Sequence, residues 1–320
     1  MAQHFLLSAA ARTLSLKAIY KAGEDKAYET FCRLRWAETQ GEPVCPRCGS
    51  LDHYKITTRR RFKCAACSHQ FSVTSGTIFA SRKMAFVDLL AAICIITNGA
   101  KGISALQLAR DLDCQHKTAF VLAHKIREAM ASETVGFNLE GEVEIDGAYF
   151  GGHIRPENRK EDRKDRRLAQ HQTGKRRVVV ALRQRMGRTL TAVFKGEDEG
   201  VAMVRDRVMP GAVVYADEAT HWDALHGWYS AKRINHSVAF MDEGACTNQA
   251  ESYFSRLRRM VGGQHHKVSA QHLHQYAAHA AWLEDHRRMD NGALCHRALG
   301  LALAHKVSRQ WAGYWQRGIA

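Results

Sequence analysis

The sequence predicts an α/β protein of several domains, and three observations carry that expectation. Four of its nine cysteines form two CxxC pairs, Cys45/Cys48 and Cys64/Cys67, fifteen residues apart. From about residue 81 to 135 the apolar residues recur at helical spacing. Near Leu139 the pattern changes to alternation, and strand and helix segments then follow one another. A length of 320 residues suits two or three domains, and a 45% apolar fraction supports real cores.

Charge narrows the partner. The chain has 47 Lys and Arg against 32 Asp and Glu, a formal +15, with a pI near 9.6. That balance points to a polyanion, most simply nucleic acid. No run approaches the ~18 apolar residues of a spanning helix, so no membrane role is expected. HFLLSAAARTLSL lacks a basic segment ahead of its apolar run and reads as an amphipathic helix, not a signal peptide. The odd, scattered cysteine count suits a reducing cytoplasm.

Residues 1–42 read as an N-terminal helical segment, with Tyr28, Phe31, Leu34 and Trp36 recurring before Gly41 and Pro43. Residues 43–80 follow as a ribbon. Its four thiolates suit a structural Zn2+ at ~2.3 Å per sulfur, whereas a redox motif would use a single CxxC. HYKITTRRRFK supplies a hairpin between the knuckles. Arg59, Arg60 and Arg61 are candidate phosphate contacts or an ordinary solvated face. Residues 81–135 predict helices over Phe86–Asn98, Ile103–Leu112 and Gln115–Met130, the last two joined by a turn at Asp113-Cys114. That is a helix-turn-helix pattern, or a plain helical hairpin. In its second helix Ala119, Leu122, Ala123 and Ile126 face inward. Gln115, His116, Lys117, Thr118 and Lys125 face outward as candidate DNA contacts.

Residues 138–268 form a mixed-sheet region. GEVEIDGAYFGG is a strand with Glu142, Glu144 and Asp146 on one face and Val143 and Ile145 on the other. A basic insertion, 153–177, carries ten Lys or Arg against four Asp or Glu. A hairpin follows over Arg177–Gln184 and Arg188–Lys195, turned at Met186-Gly187. Next come a helix over Val201–Val208, a buried strand from Ala212 ending at Asp217, a helix over His221–Tyr229 and a short strand over Ile234–Val238. The helix Thr247–Val261 puts Ala250, Phe254, Leu257 and Val261 on one stripe. Asn248, Glu251, Ser252, Ser255 and Arg258 lie on the other side. Residues 269–320 are a helical tail rich in His and Trp.

Two readings fit Glu251. Asn248 and Glu251 have the spacing of a capping box, a local role. Alternatively Asp146, Asp217 and Glu251 converge where strand ends meet a flanking helix. Three such carboxylates suit two Mg2+ or Mn2+ ions ~3.5–4 Å apart. Glu144, on the face of Asp146, is a further candidate ligand. Glu218 and Asp223 near Asp217 fit an ordinary helix start.

The segments CPRCGS, YKITTRRRFKCAACSHQFSVTSGTIF, EIDGAYFGG, YADEATHW, INHSV and TNQAESYFSRLRRMVGGQHHKVS stand in this order. From about residue 25 to 285 the chain resembles the zinc-ribbon DDE transposases of bacterial insertion sequences. The resemblance implies a ribonuclease H-like catalytic domain that nicks element ends and joins their 3′-hydroxyls to target DNA. It implies Asp146, Asp217 and Glu251 as the catalytic, metal-holding triad, and aligns Asn248 with an asparagine of the third motif. It places His236 in a motif segment, and Arg258 where many members carry lysine, a fork in place of a point charge. Double-stranded DNA and a homodimer or larger synaptic assembly are the implied partners, in a bacterial cytoplasm at the nucleoid. The alternatives are a DNA-binding regulator without catalysis and a ribonuclease H-like nuclease that cleaves without joining.

Overall fold

The computed structural model describes residues 5–152, 157–165, 171, 174–217, 219–234 and 246–317. They form two compact units, Met1–Glu133 with His286–Ala320, and Thr134–Asp285.

In the first unit the helix expected from residue 1 begins later. Two single 3-10 turns, Phe5–Leu7 and Ala9–Ala11, precede α1 (Leu16–Arg35). Ser15 Oγ caps α1 by accepting the Ala18 N–H, which sets the start. Gly23, at φ +79°, breaks the helix internally, a conformation that glycine adopts without cost from a side chain. The stripe Ile19, Ala27, Phe31 is buried. The ribbon is an antiparallel sheet of β1 (His53–Ile56), β2 (Arg61–Cys64) and β3 (Gln70–Phe71). Its small core is aromatic, with the Trp36 ring centroid 5.8 Å from Phe62 and 6.4 Å from Phe71.

The helices expected next are present as α2 (Phe86–Asn98), α3 (Ala105–Asp111) and α4 (His116–Ala131). Ser104 Oγ caps α3 by accepting the Gln107 N–H. Asp113, at φ +46°, makes the turn. Ala119, Leu122, Ala123 and Ile126 of α4 are buried, and so are His124 and Arg127. The C-terminal α8 (Asn291–Ala304) packs on α1, α2 and α4. Asn291 Oδ1 fastens it by accepting the Thr13 and Leu14 amides at 2.9 and 3.0 Å.

The second unit is built on a five-stranded mixed sheet in the order β6-β5-β4-β7-β8. The strands are β4 (Glu142–Phe150), β5 (Arg177–Gln184), β6 (Thr189–Phe194), β7 (Val213–Asp217) and β8 (Ser230–Ile234). β4 is central. It pairs antiparallel with β5 and parallel with β7. One sheet face, with Val143, Ile145, Val180, Val214 and Ala216, packs on α5 (Gly200–Arg207) and the segment around Trp222. α6 (Asn248–Arg259) lies against β4 and β5, and α7 (Leu273–Asp285) against α6 and β6.

Two elements differ from expectation. The helix expected over His221–Tyr229 is a 3-10 helix, Thr220–Gly227. Asp217 Oδ1 accepts the Ala219 N–H, and Trp222 N–H bonds back to Ala219 O. The chain is therefore wound tightly while Trp222 is drawn into the core. The last strand begins at Ser230 rather than Ile234, and 235–245 lie outside the described residues. Its Ser-Ala-Lys-Arg-Ile sequence hid it, because an edge strand needs few apolar residues and tolerates lysine.

The fastening between sheet and α6 is a buried carboxylate. Glu144 Oε2 accepts the amides of Gln249 and Ala250 at 2.8 and 3.0 Å, in the first turn of α6. Its Oε1 accepts Arg185 Nε at 2.9 Å. Arg185 also donates to Cys246 O and covers the Tyr215 ring at 4.0 Å. Glu144 is fully buried. Truncating it leaves the half-buried Arg185 with Glu142 as its remaining acidic partner and leaves two helix amides unmet. Glu144→Ala should therefore cost roughly 1–3 kcal/mol, read as a lowered urea midpoint for the intact chain.

Candidate metal and catalytic centres

The cysteine site assembles as its spacing predicts. A zinc tetrahedron with ~2.3 Å bonds sets its sulfurs ~3.8 Å apart. Cys45 and Cys67 stand 3.7 Å apart, Cys48 and Cys64 3.5 Å, and all four Sγ lie within 4.8 Å of one another. Backbone amides, that of Cys67 foremost, hold the Cys64 thiol down to about 6, which favours the thiolate a metal needs. These residues fit a structural zinc. Chelation should unfold the ribbon and release the Trp36–Phe62–Phe71 cluster, seen as a red shift of tryptophan emission that added Zn2+ reverses.

The expected DNA contacts divide in the structure. Arg59 and Arg61 are exposed. Arg60 is engaged within the fold, pairing with Asp25 at 2.6 Å and Glu24 at 3.5 Å and stacking over Tyr28. Gln115, His116, Lys117 and Thr118 are exposed at the start of α4, but Lys125 is half-buried beside the C-terminal segment.

Sheet register brings two acids together. β4 and β7 pair Glu142 with Val213, Val143 with Val214 and Glu144 with Tyr215. Continued by two residues, that register sets Asp146 level with Asp217. Parallel neighbours at one level share a face, here the face that carries α6. Glu251 lies in the first turn of α6 and Arg258 two turns on. Burial first, then the charges of Asp217 and Glu251, push the Asp146 carboxyl up to about 6, against the Gly147 amide and Arg258. Its Oδ1 accepts the Gly147 N–H at 2.7 Å.

A fourth carboxylate was not foreseen. Burial, then Asp217 and Asp146, push Glu197 up to about 7. Glu197 Oε1 would lie 2.0 Å from a Cβ placed on Gly147, so that glycine makes room for it. The nearby His221, with Nε2 at 3.8 Å, is no ready counter-charge, because burial lowers its pKa. The signal available in the sequence was the glycine directly after Asp146.

Two other readings, of Glu144 as a ligand and of a capping box, are corrected. Glu144 is not free to be a ligand, because both its oxygens are taken by Arg185 and α6. The Asn248–Glu251 capping box does not form. The cap position is Thr247, and Glu251 N–H makes an ordinary helical bond to Thr247 O. Asn248 is exposed in the first turn, its carbonyl accepting Ser252 Oγ. Asp223 pairs with Arg233, whose guanidinium also holds Asp217 O and Ala219 O. His236 and Glu218 lie outside the described residues.

Two family models match this chain. The transposase zinc-ribbon domain covers residues 22–70, and the ISXO2-like transposase domain covers residues 138–285. Over these two stretches the chain is therefore similar to zinc-ribbon transposases. Both matched domains are of the IS1595 type. An uncharacterized protein in transposable element ISH50 of Halobacterium salinarum is 23% identical over 263 residues, 79% of this chain and 88% of the relative. No solved structure matches. Among the described residues no helix is long and apolar enough to cross a membrane.

The raised Asp146 pKa fixes the sign of a stability effect. Between pH about 6 and 3.8 the folded chain holds a proton that the unfolded chain has released. This group therefore adds stability on acidification and loses it as pH rises through about 6. Metal-free Asp146→Asn should melt roughly 2–6 °C above the parent at pH 8, with the gain gone below pH 4. Differential scanning calorimetry with Mg2+ absent decides it.

Proposed function

We propose that this chain is a DNA transposase whose Asp146, Asp217 and Glu251 hold divalent metal for strand cleavage and strand transfer. The observation that supports this most is the register that sets Asp146 level with Asp217 beneath the helix of Glu251. Unbalanced acids in a half-buried site raise one another's proton affinity, and the hard oxygen donor set suits Mg2+ or Mn2+. Bound there, the metals would activate a water or 3′-hydroxyl and stabilise the leaving oxygen. Glu197 is a fourth acid for the same site. Arg258 supplies a cation beside it for the phosphate backbone, as a fork rather than a point charge. Asn248, exposed in the first turn of α6, would support the site near Glu251, and His236 keeps an unassigned supporting role.

The order and direction of the five strands support a ribonuclease H-like domain over 138–268. The basic stretch 153–177, part of which lies outside the described residues, would contact DNA. The ribbon and the α3–α4 pair, read as a helix-turn-helix, would bind element ends. Arg59, Arg61, Gln115, Lys117 and Thr118 are the side chains best exposed for that. A homodimer or larger assembly follows from the need to join two ends, and the setting is the bacterial cytoplasm.

The test is strand transfer on end-bearing DNA with Mg2+ or Mn2+. Asp217→Ala should lower product formation by at least about 10³-fold, and Glu197→Gln should lower it less. Both should retain end binding in a gel-shift assay. Undiminished transfer by Asp217→Ala would overturn the assignment. Cleavage without joining would instead mark a nuclease.

A further inference from the structure

We propose that a cleft beside α4 binds an unpaired nucleotide of single-stranded DNA, with its base on Trp315 and its phosphates at Lys117 and Lys125. The cleft lies wholly within the first unit and has a volume of about 790 Å³, in the range of roughly 300–1,000 Å³ that suits a nucleotide-sized ligand. Arg82, Lys83, Lys117 and Lys125 line it, and no described lining residue is acidic. Tyr314 and Trp315 form part of the same wall.

Trp315 is a held platform. Its ring centroid is 5.8 Å from that of Phe120 on α4, and its indole N–H donates to Lys117 O at 3.3 Å. Lys117 Nζ lies 5.3 Å from the ring, and Tyr314 packs against it edge-on at 5.1 Å. Even so, the residue is 46% exposed. A large indole that is fastened yet open offers stacking area with little ordering cost. Lys125, on the same cleft, is half-buried. An ammonium drawn partly out of water gains from an anion, and the acid acting on it is Glu128 of its own helix.

Charge and aromatic surface together favour an unstacked strand over a duplex. In a duplex the base faces are occupied by one another, whereas every unpaired base offers a face to an aromatic ring. Residues 311–316 also lie along the first half of α4, so exposed Lys117 and half-buried Lys125 both line the cleft. The choice of DNA as the polyanion rests on the proposed function. The geometry of the cleft does not.

The experiment measures fluorescence anisotropy of labelled oligo-dT and of a mixed-sequence duplex. It uses the whole 320-residue, zinc-loaded chain without Mg2+. Trp315→Ala should weaken oligo-dT binding roughly 5- to 150-fold while duplex affinity changes less than about threefold, and Trp315→Phe should restore most of the loss. Unchanged oligo-dT affinity, or equal loss on both DNAs, would overturn the proposal, as would tighter binding of oligo-U than of oligo-dT. If Trp315→Ala unfolds, Lys125→Gln decides. A salt slope on oligo-dT shallower by about 0.7 supports the cleft, and an unchanged slope overturns it. Asp217→Ala enters as a control, since its oligo-dT binding tests the cleft whatever its strand-transfer activity.

Discussion

The second unit depends on one desolvated charge. Glu144 sits on the central strand with no water contact and serves two masters, the guanidinium of Arg185 and the first-turn amides of α6. A helix N-terminus is a natural acceptor of negative charge, because its first amides have no partner within the helix. Here that acceptance is satisfied from the sheet. One carboxylate thereby ties β4, β5 and α6 together and fixes the height of α6 on the strand. Glu251 follows one residue after the amides so held, and its position over the sheet is inherited from Glu144 rather than set by its own surroundings.

The acidic site runs against this economy. At Glu144 the charge is matched. At Asp146, two residues along the same face, the neighbouring charges that dominate are Asp217 and Glu251, and Arg258 offsets them only in part. Glu197 adds another acid of the same sign. A core built only for stability would hold an apolar residue or a matched pair at such positions. The fold tolerates repulsion here because the sheet and the Glu144 fastening over-determine the backbone. Repulsion of that kind is relieved by a divalent cation or a proton.

What was legible in the sequence follows from how local each interaction is. The ribbon was legible because metal geometry imposes short, regular spacings on its ligands. The hairpin and β4 were legible because one buried face forces alternation. Asp217 stood out as an acid at a strand end, whereas Asp146, expected near one, lies in the middle of β4, which runs on to Phe150. Alternation could not separate Glu144 from Asp146, however, since it puts both on one face. Only the N-terminus of α6, 105 residues further on, makes one structural and leaves the other open. Glu197 was hidden in the polar run Gly-Glu-Asp-Glu-Gly, where nothing local marks one acid among three. The same distance effect misplaced the capping role: Asn248 had the local pattern, but the cap position is Thr247 and the first amides are met from the sheet.

The tail shows the limit of reading a chain in order. Residues 269–320 look like one helical region, yet α7 packs with the second unit and α8 with the first. Topologically, Thr134–Asp285 is an insertion into the first unit. Closing a gap of that length would be entropically costly for a flexible chain, at (3/2)RT ln n plus a constant. A folded insertion whose ends meet removes most of that cost. Its flanks do meet: His286 Nε2 lies 3.4 Å from Glu133 Oε1, and Arg297 of α8 reaches the same carboxylate. The clasp at Glu133 lets helices remote in sequence share one core. It also brings Trp311, Tyr314 and Trp315 beside α4, joining an aromatic surface from one end of the chain to basic side chains from the other.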